Sequence, residues 1–373
     1  MLLKSRILSV IVILGAVLSS ACGSVTTSAP ISAKQSTQPA GSIQINGAGA
    51  TFPLPVYTEW VFAFQYVDPS VTLNYQGIGS GGGKKGIIDG TIDFAGSDSL
   101  LSDAEYTNGK DLQMYPMLAG AVVSIYNVEG MTKTLTLSRD ALVGIYTAKL
   151  TKWNDPIIVS LNPDIKLPDK NITAVHRSDG SGTTEIFTNA LAAFSADWKN
   201  SVGAGSSVEW PVDKAGSGIG GKGNQGVAAA VQNTPNSIGY VELSYAIANK
   251  IPYAQMINKA GKSVQANANS LISAMNDFAT NFTDKLTNTI VDGSGEGSWP
   301  IAGYTYIILH TTSMPDCPKA QKLLEFLKWV LTDAGAAKRA ADLGYAVLPD
   351  AVRTQVLGKL DLVTCKGSPV LSK

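Results

Sequence analysis

Apolar and polar residues alternate along the first part of the chain in segments that predict strands and helices in turn. Residues 43–46 alternate as a half-buried strand does, and an apolar helical spacing runs from 53 to 64. Residues 71–75 and 91–95 predict two more strands, with a short helix around Ile87 between them. This order of strands and helices predicts a parallel sheet with crossover helices.

Polar turns follow each of these three predicted strands. Thr51 and Phe52 follow the first, Ser80 follows the second and Asp98 follows the third. In parallel sheets, ligands bind beyond the carboxyl ends of the strands. We therefore expect these turns to converge on one rim of the sheet and to form part of a binding site.

The later pattern predicts a second lobe and a return to the first. Residues 122–126 predict a strand that leaves the first unit, and a strong strand at 304–309 is followed by a helix at 319–331. Two crossings between lobes leave a cleft between them, which is the natural place for a ligand. The predicted lobes are residues 43–122 with 303–373, and residues 123–302.

The run Arg-Ser-Asp-Gly-Ser-Gly-Thr-Thr at 177–184 is the most informative candidate site. It leads into an amphipathic helix, whose first N–H groups have no partner within the helix and lie at its positive end. Its glycines permit a close approach of the backbone, and Arg177, Ser181 and Thr183 add donors. The run therefore predicts an anion site that suits phosphate or sulfate. The alternative is a Gly/Ser turn that caps an ordinary helix.

The first residues predict export from the cytoplasm. Residues 1–21 have a basic start and an apolar run at 7–18, as a signal peptide does. Small residues precede Cys22 as in a lipoprotein cleavage site, although Ser19 stands where an aliphatic residue is usual. We expect a lipidated Cys22, the alternative being plain secretion. Residues 22–42 are polar and small, and they predict a flexible tether behind the lipid.

Composition and charge narrow the function classes. Hydrophobic residues make up 45% of the chain and charged residues 16%, and there are 37 glycines, which suits a compact α/β protein with many turns. Acidic and basic residues balance at 29 each, so no general positive field recruits nucleic acid. Recognition of an anion therefore has to come from a local site.

The cysteines of the body predict a crosslink and not a metal site. Cys317 and Cys365 are an even pair in an oxidising compartment, which predicts a disulfide, with two buried thiols as the alternative. The chain has only two histidines, and no spacing of His or Cys residues is typical of a metal site. We expect neither a metal nor a cofactor.

Two glycine-rich stretches resemble nucleotide-binding motifs. Gly77, Gly79 and Gly82 match the dinucleotide fingerprint, and residues 216–223 nearly match a P-loop. An exported protein rarely meets a nicotinamide cofactor, and Gly223 replaces the hydroxyl residue that would hold Mg²⁺. We interpret the first stretch as a close backbone approach to a smaller anion and the second as a surface loop.

Taken together, these stretches resemble the periplasmic phosphate-binding proteins that feed phosphate ABC importers. The matching motifs occur in family order and at family-like spacing, and they span nearly all of the body. They are residues 47–53, 74–80, 93–98, 177–183, 220–224, 238–242 and 299–301.

The resemblance implies a type II periplasmic binding protein fold. It has two α/β lobes, each a mainly parallel sheet flanked by helices, that close by a hinge on a ligand in the cleft. The implied phosphate contacts are Thr51, Phe52, Ser80, Asp98, Arg177, Ser181, Gly182 and Thr183. Phe52 and Gly182 would act through their N–H groups, and Asp179 would orient Arg177.

The resemblance also implies a cellular role. It implies a monomer that catalyses nothing, works in the periplasm or on the outer face of the membrane, and touches the membrane only through a lipid at Cys22. Its partners would be inorganic phosphate and the permease subunits of a phosphate ABC transporter.

Asp98 is informative about the ligand. An ionised carboxylate can only accept hydrogen bonds, so it suits an anion that still carries a proton. Phosphate carries one at neutral pH and sulfate does not. A buried site of this kind can reject an anion that lacks the proton by several orders of magnitude.

Three alternatives remain open from the sequence. The first is a binder of another oxyanion, such as sulfate, molybdate or a phosphonate. The second is a secreted phosphatase or esterase that uses Ser181 with His176. The third is a surface adhesin or signalling decoy in which phosphate is only structural.

Overall fold

The computed structural model describes residues 42–131 and 133–371. The predicted signal peptide, Cys22 and the tether up to residue 41 lie outside the described residues. The strands are β1 Ile43–Gly49, β2 Val71–Gly77, β3 Phe94–Ser97, β4 Leu112–Asn127, β5 Thr136–Leu137, β6 Thr173–Arg177, β7 Gly218–Gly221, β8 Ser237–Glu242, β9 Gln255–Ile257, β10 Ser263–Val264, β11 Ala302–His310, β12 Ala346–Val347, β13 Thr364–Cys365 and β14 Ser368–Pro369.

Helices connect most of these strands. They are α1 Leu54–Val67, α2 Ser80–Ile88, α3 Asp103–Gly109, α4 Arg139–Tyr146, α5 Pro156–Leu161, α6 Gly182–Phe194, α7 Ala196–Ser201, α8 Pro211–Lys214, α9 Gly223–Asn233, α10 Leu243–Ala248, α11 Ala268–Asp277, α12 Cys317–Thr332, α13 Ala334–Asp342 and α14 Asp350–Leu360. The alternation of strands and helices confirms the predicted α/β class.

The first three strands form the predicted parallel unit. β1 lies between β2 and β3 and runs parallel to both. β3 begins at Phe94 rather than at the predicted residue 91. Asp93 explains the later start. Its side chain accepts the N–H of Asn46 at 2.7 Å, whereas in regular strand pairing a main-chain carbonyl would accept that N–H. The carboxyl ends of these strands lie at one edge of the sheet, as predicted.

Strand β4 joins two groups of parallel strands into one sheet. The order is β2-β1-β3-β11-β4-β8-β6-β7, with β12 also paired to β4. The first part of β4 pairs antiparallel with β11 as far as Ala121, and from Val122 onward it pairs antiparallel with β8. The sequence predicted only residues 122–126 of this strand, because its earlier residues are buried on both faces and do not alternate. That prediction was too short.

The second parallel group mirrors the first. β6 lies between β8 and β7 and is parallel to both, so the turns after β6 and β7 emerge side by side. Buried apolar side chains cover both faces of the sheet, and α12 packs against β1. The helix predicted at 319–331 therefore returns to the first strands, as expected.

A disulfide closes the last part of the chain. Cys317 at the start of α12 is bonded to Cys365 in β13, which confirms the predicted pair. The bond links residues 48 apart in sequence, and such a crosslink contributes about 2–4 kcal/mol to the free energy of unfolding. It lies in the part of the chain that follows β11.

The described part of the chain has the features of neither a membrane-spanning helix nor a metal site. Within 42–131 and 133–371, no helix combines the length and the apolar character that crossing a membrane requires. The same residues contain no cluster of three or more His, Cys, Asp or Glu side chains that could hold a metal ion.

Candidate functional site

The structure places the first set of candidate residues at the carboxyl ends of β1, β2 and β3. Thr51 and Phe52 lie in the turn from β1 to α1, Ser80 is the first residue of α2, and Asp98 follows β3. All four are buried. The ring of Phe52 packs edge-on against Tyr345, so this residue offers the site its backbone and not its side chain.

The second set lies at the start of α6. Arg177 is the last residue of β6, Ser181 is the N-cap of α6, and Gly182 and Thr183 are its first residues. The side chain of Ser181 accepts the N–H of Thr184 at 3.0 Å, so it caps the helix. Arg177, Ser181 and Thr183 are all buried although they are polar. Burial of so many donors in one place is costly unless they have partners.

Ser80 brings the two sets together. Its Oγ accepts the N–H of Gly182 at 3.0 Å and the N–H of Asp98 at 3.3 Å. The approach depends on glycine, because a Cβ at residue 182 would lie 2.5 Å from the Cβ of Asp98. The start of α6 therefore sits directly against the turn that carries Asp98.

Arg177 is held in a fixed orientation by Asp179. Its Nε donates to one carboxylate oxygen at 2.7 Å and its Nη2 donates to the other at 2.6 Å. Burial alone would raise the pKa of Asp179, but the bonds and charge of Arg177 outweigh it and hold that pKa below its usual value. The main-chain N–H of Gly223 also donates to Asp179, at 3.0 Å. The pair leaves Nη1 of Arg177 directed at Thr183, at 3.4 Å.

Asp98 is the acidic group of the site. Its Oδ1 accepts from the Thr305 hydroxyl at 2.8 Å. Burial raises its pKa to about 7, and the Thr305 bond and the positive charge of Arg177 limit the rise. The site thus contains a fixed cation and a carboxyl group that titrates near neutral pH. It can bind an anion and also accept a proton from it.

Asn224 is a site residue that the sequence reasoning missed. Its side-chain amide donates to the hydroxyl oxygens of Thr51, at 2.9 Å, and Thr183, at 3.1 Å. The surface loop expected at 216–223 is wrong, because Gly218–Gly221 is strand β7 and Gly223 begins α9. A signal was present in the sequence, since residues 220–224 are one of the matching motifs.

Two tyrosines distant in sequence fix the turn after β1. The hydroxyl of Tyr245 donates to the carbonyl of Thr51 at 2.6 Å, and that of Tyr345 donates to the carbonyl of Phe52 at 2.7 Å. The Tyr345 hydroxyl is also 2.8 Å from the buried Glu242. No local pattern marks these tyrosines, because their role depends on contacts across about 200 residues or more.

His176 does not form a catalytic pair with Ser181. Its Nδ1 is 2.9 Å from the carbonyl of Arg177 and its Nε2 is 2.8 Å from Asp213, so both ring nitrogens are engaged elsewhere. The ring is buried and stacks on Trp210. This arrangement supports β6 beside the site and does not supply a base to a serine nucleophile.

Comparison with known proteins agrees with this geometry. The sequence profile of the PBP superfamily domain matches residues 31–334. The phosphate-binding protein PstS of Xylella fastidiosa is 40% identical over 316 residues, which cover 84% of each chain. PstS of Methanocaldococcus jannaschii is 36% identical over 340 residues, which cover 86% of this chain and 87% of that one.

A solved structure shares the fold. The crystal structure of a phosphate-binding protein from Stenotrophomonas maltophilia superposes with a TM-score of 0.64 over 85% of this chain and 94% of that one. The two sequences are 22% identical, so this similarity concerns the fold alone.

Proposed function

The chain belongs to the PBP superfamily and, within it, to the PstS phosphate-binding proteins, and from that premise we propose that it captures inorganic phosphate outside the cytoplasm for a phosphate ABC transporter. It is a binding protein and not an enzyme. One observation carries the choice of ligand: a buried carboxyl group, Asp98, shares the site with the buried and oriented Arg177. An anion that is also a proton donor fits both groups.

The proposed contacts are those that the sequence implies. Hydroxyls and N–H groups at the starts of α1, α2 and α6 surround the anion, and Arg177 adds charge-assisted bonds. The proposed ligand set is Thr51, Phe52, Ser80, Asp98, Arg177, Ser181, Gly182 and Thr183. Their burial supports the proposal, because a dry site strengthens every bond to a charged ligand.

Specificity would come from Asp98. Its ionised form accepts the phosphate proton, whereas a sulfate oxygen facing it would bring two acceptors together in a buried site. Because the Thr305 hydroxyl bonds Oδ1, we place Oδ2 toward the ligand. The pKa of about 7 means that Asp98 is partly protonated at neutral pH before the ligand arrives. Exclusion of sulfate therefore depends on pH.

We propose that the ligand binds by closure of two lobes, residues 43–122 with 303–373 and residues 123–302. The change of partner along β4, from β11 at Ala121 to β8 at Val122, supports this boundary. Bonds between the proposed lobes, such as the N–H of Gly81 to the carbonyl of Gly180 at 3.0 Å, support a closed arrangement. Closure would present a ligand-dependent surface to the permease subunits.

The remaining features of the role are proposals from the sequence. We propose a monomer that is exported by the signal peptide at 1–21 and held at the outer face of the membrane by a lipid on Cys22. The tether at 22–42 would give the binding lobes reach to the permease. Palmitate labelling of the expressed protein, lost in Cys22→Ser, tests the anchor.

Calorimetry tests the proposed ligand. Phosphate is titrated into the purified body, residues 43–373, with sulfate in large excess in the cell. Tight one-to-one binding that sulfate does not weaken supports the proposal. Binding that sulfate abolishes would instead favour another oxyanion, and the absence of phosphate heat would end the proposal.

The variant Asp98→Asn tests the origin of specificity. Its amide can still accept from Thr305 through Oδ1 and would then donate to a sulfate oxygen. We expect sulfate to compete at least about tenfold better with the variant, since a repulsive contact becomes a hydrogen bond. Equal exclusion of sulfate by the two proteins would remove Asp98 from the account. The neighbouring Asp103→Asn, at an exposed helix start, is the control.

A further inference from the structure

Asn224 links residues that face the anion from different parts of the fold. It is the second residue of α9 and is fully buried. Its side chain bonds Thr51, in the turn after β1, and Thr183, at the start of α6. We infer that Asn224 is a positioning residue that makes both hydroxyls donate to the ligand, an inference that rests on the proposed function. Asn224 itself does not contact the ligand and acts on it only through the two threonines.

Thr51 has its acceptor capacity filled by Asn224. A hydroxyl oxygen has two lone pairs and carries one proton. The Oγ1 of Thr51 accepts the side-chain Nδ2 of Asn224 at 2.9 Å and the main-chain N–H of Asn224 at 3.1 Å. With both lone pairs in use, the hydroxyl can only donate. An anion with its own acceptor oxygens is the partner that this state requires.

Thr183 is in the same state. Its Oγ1 accepts Nδ2 of Asn224 at 3.1 Å and Nη1 of Arg177 at the longer distance of 3.4 Å. One amide nitrogen thus donates a proton to each of two hydroxyls. Both hydroxyls are thereby directed to donate, although each could otherwise accept from or donate to a ligand.

The orientation of the Asn224 amide is itself fixed. Its Oδ1 accepts the main-chain N–H of Glu242 at 2.9 Å. Turning the amide over would place two donors against each other at Glu242 and would bring an amide oxygen to the two threonine oxygens. Main-chain geometry at the end of β8 therefore determines the polarity of two side chains in the anion site.

A buried asparagine in a site that binds an anion thus has a role other than direct contact with the anion. An amide group beside a charged ligand could serve as a direct ligand, but here both of its protons are used by threonines. Removing it leaves the two hydroxyls with vacant lone pairs in a buried place, which costs free energy and lets them turn away from the anion.

The first test compares Asn224→Leu with the parent protein. Leucine has nearly the same volume and no polar atom in its side chain, so we expect the phosphate dissociation constant to rise about thirtyfold or more as two buried hydroxyls each lose one of their two donors. The control is Asn233→Leu, at the exposed last turn of the same helix, which should bind as the parent does. Circular dichroism and urea unfolding verify that each variant is folded.

The decisive measurement is a cycle with the hydroxyls removed. In a protein with Thr51→Val and Thr183→Val, adding Asn224→Leu should raise the dissociation constant by less than about threefold, because the groups it acts through are gone. A merely structural role would give the full thirtyfold loss in both backgrounds, and this would overturn the inference. An unchanged affinity of the single variant would overturn it as well.

If Asn224→Leu does not fold, Asn224→Ala takes its place in the same cycle, because it also removes the amide donors and adds no charge beside the anion. A single-variant loss of about thirtyfold that vanishes in the valine background supports the inference, and an equal loss in both contradicts it. Failure of the parent to bind phosphate would refute the proposed function instead.

Discussion

The starts of α6 and α9 are built alike and work differently. Each helix follows one of two adjacent parallel strands, β6 and β7, and each begins with a glycine. The start of α6 is capped by the Ser181 side chain and lies against the turn that carries Asp98. The N-cap of α9 is Lys222, whose side chain caps nothing, and the first N–H groups of α9 bind other protein groups.

The difference lies in what occupies each positive helix end. At α9 the N–H of Gly223 donates to the carboxylate of Asp179, and the N–H of Asn224 donates to Thr51. A carboxylate at a helix start takes the place that an anionic ligand would take. The start of α9 is therefore already occupied, and it serves to hold Arg177 and Thr51. At α6 the N–H of Gly182 donates to the Ser80 hydroxyl and that of Thr184 donates to the Ser181 hydroxyl, so these partners are neutral side chains and not a carboxylate.

Matched glycine substitutions should separate the two helix starts most strongly. At residue 182 a Cβ would meet Asp98 and the main chain of Ser99 at 2.5 Å, so Gly182→Ala must push α6 away from the acidic turn. We expect about a hundredfold weaker phosphate binding, by the free-energy cost of an overpacked contact. Calorimetry with phosphate measures it.

The matched variant is Gly223→Ala. Its φ is +71°, which costs alanine about 1 kcal/mol, but the nearest atoms belong to the flexible side chain of Gln225. We expect lower stability to urea and a change in affinity below about threefold. If Gly223→Ala weakened binding as much as Gly182→Ala does, α9 would contact the ligand directly and the division of roles would be wrong.

The two helix starts also differ in how much of their role the sequence alone predicts. The run at 177–184 contains its own donors, glycines and helix, so local chemistry predicted an anion site there. The start of α9 also contains glycines, but its role depends on Asp179 and Thr51, which only the fold brings to it. The sequence therefore predicted the fold class, the parallel strands and the disulfide, and it missed Asn224, Tyr245 and Tyr345.

Titration should distinguish the two acidic groups that the helix starts face. Burial raises the pKa of Asp98 to about 7, whereas the bonds from Arg177 hold the pKa of Asp179 below its usual value despite burial. As the pH falls through about 7, Asp98 becomes a neutral donor and Asp179 stays ionised. We expect sulfate to bind about tenfold more tightly at about pH 6.5 than at about pH 8.5. Because sulfate binding takes up at most one proton, its affinity can change at most about tenfold per pH unit.

The same experiment on Asp98→Asn is the control. Its amide cannot titrate, so sulfate affinity should hardly change over this range. A pH dependence that survives in the variant would assign the proton to another group, and the contrast between the two helix starts would then not rest on Asp98.

A substitution at Glu242, near the start of α9, should have the smallest effect on phosphate binding. Only its main-chain N–H supports α9, through Asn224, so Glu242→Gln should leave phosphate affinity unchanged. Burial raises the pKa of its carboxyl to about 8, from a usual value of 4.5. The main-chain N–H of Ser244 donates to one carboxyl oxygen, the Tyr345 hydroxyl lies 2.8 Å from the same oxygen, and the other oxygen has no hydrogen-bond partner. The folded protein therefore holds a proton that the unfolded chain has lost.

That proton sets the sign of the stability effect. Between pH 4.5 and about 8 the folded state binds more protons than the unfolded state, so the free energy of unfolding falls as the pH rises. Asp98 adds a similar fall in the ligand-free protein, so the informative quantity is the difference in the free energy of unfolding between parent and variant.

In urea titrations without phosphate, Glu242→Gln should gain stability relative to the parent from about pH 5 to about pH 8. The exposed Glu209→Gln should show no such trend. If the difference between parent and Glu242→Gln stayed constant with pH, the buried carboxyl would be ionised throughout, and the cluster around Tyr345 would have to stabilise a negative charge beside the turn that holds Thr51 and Phe52.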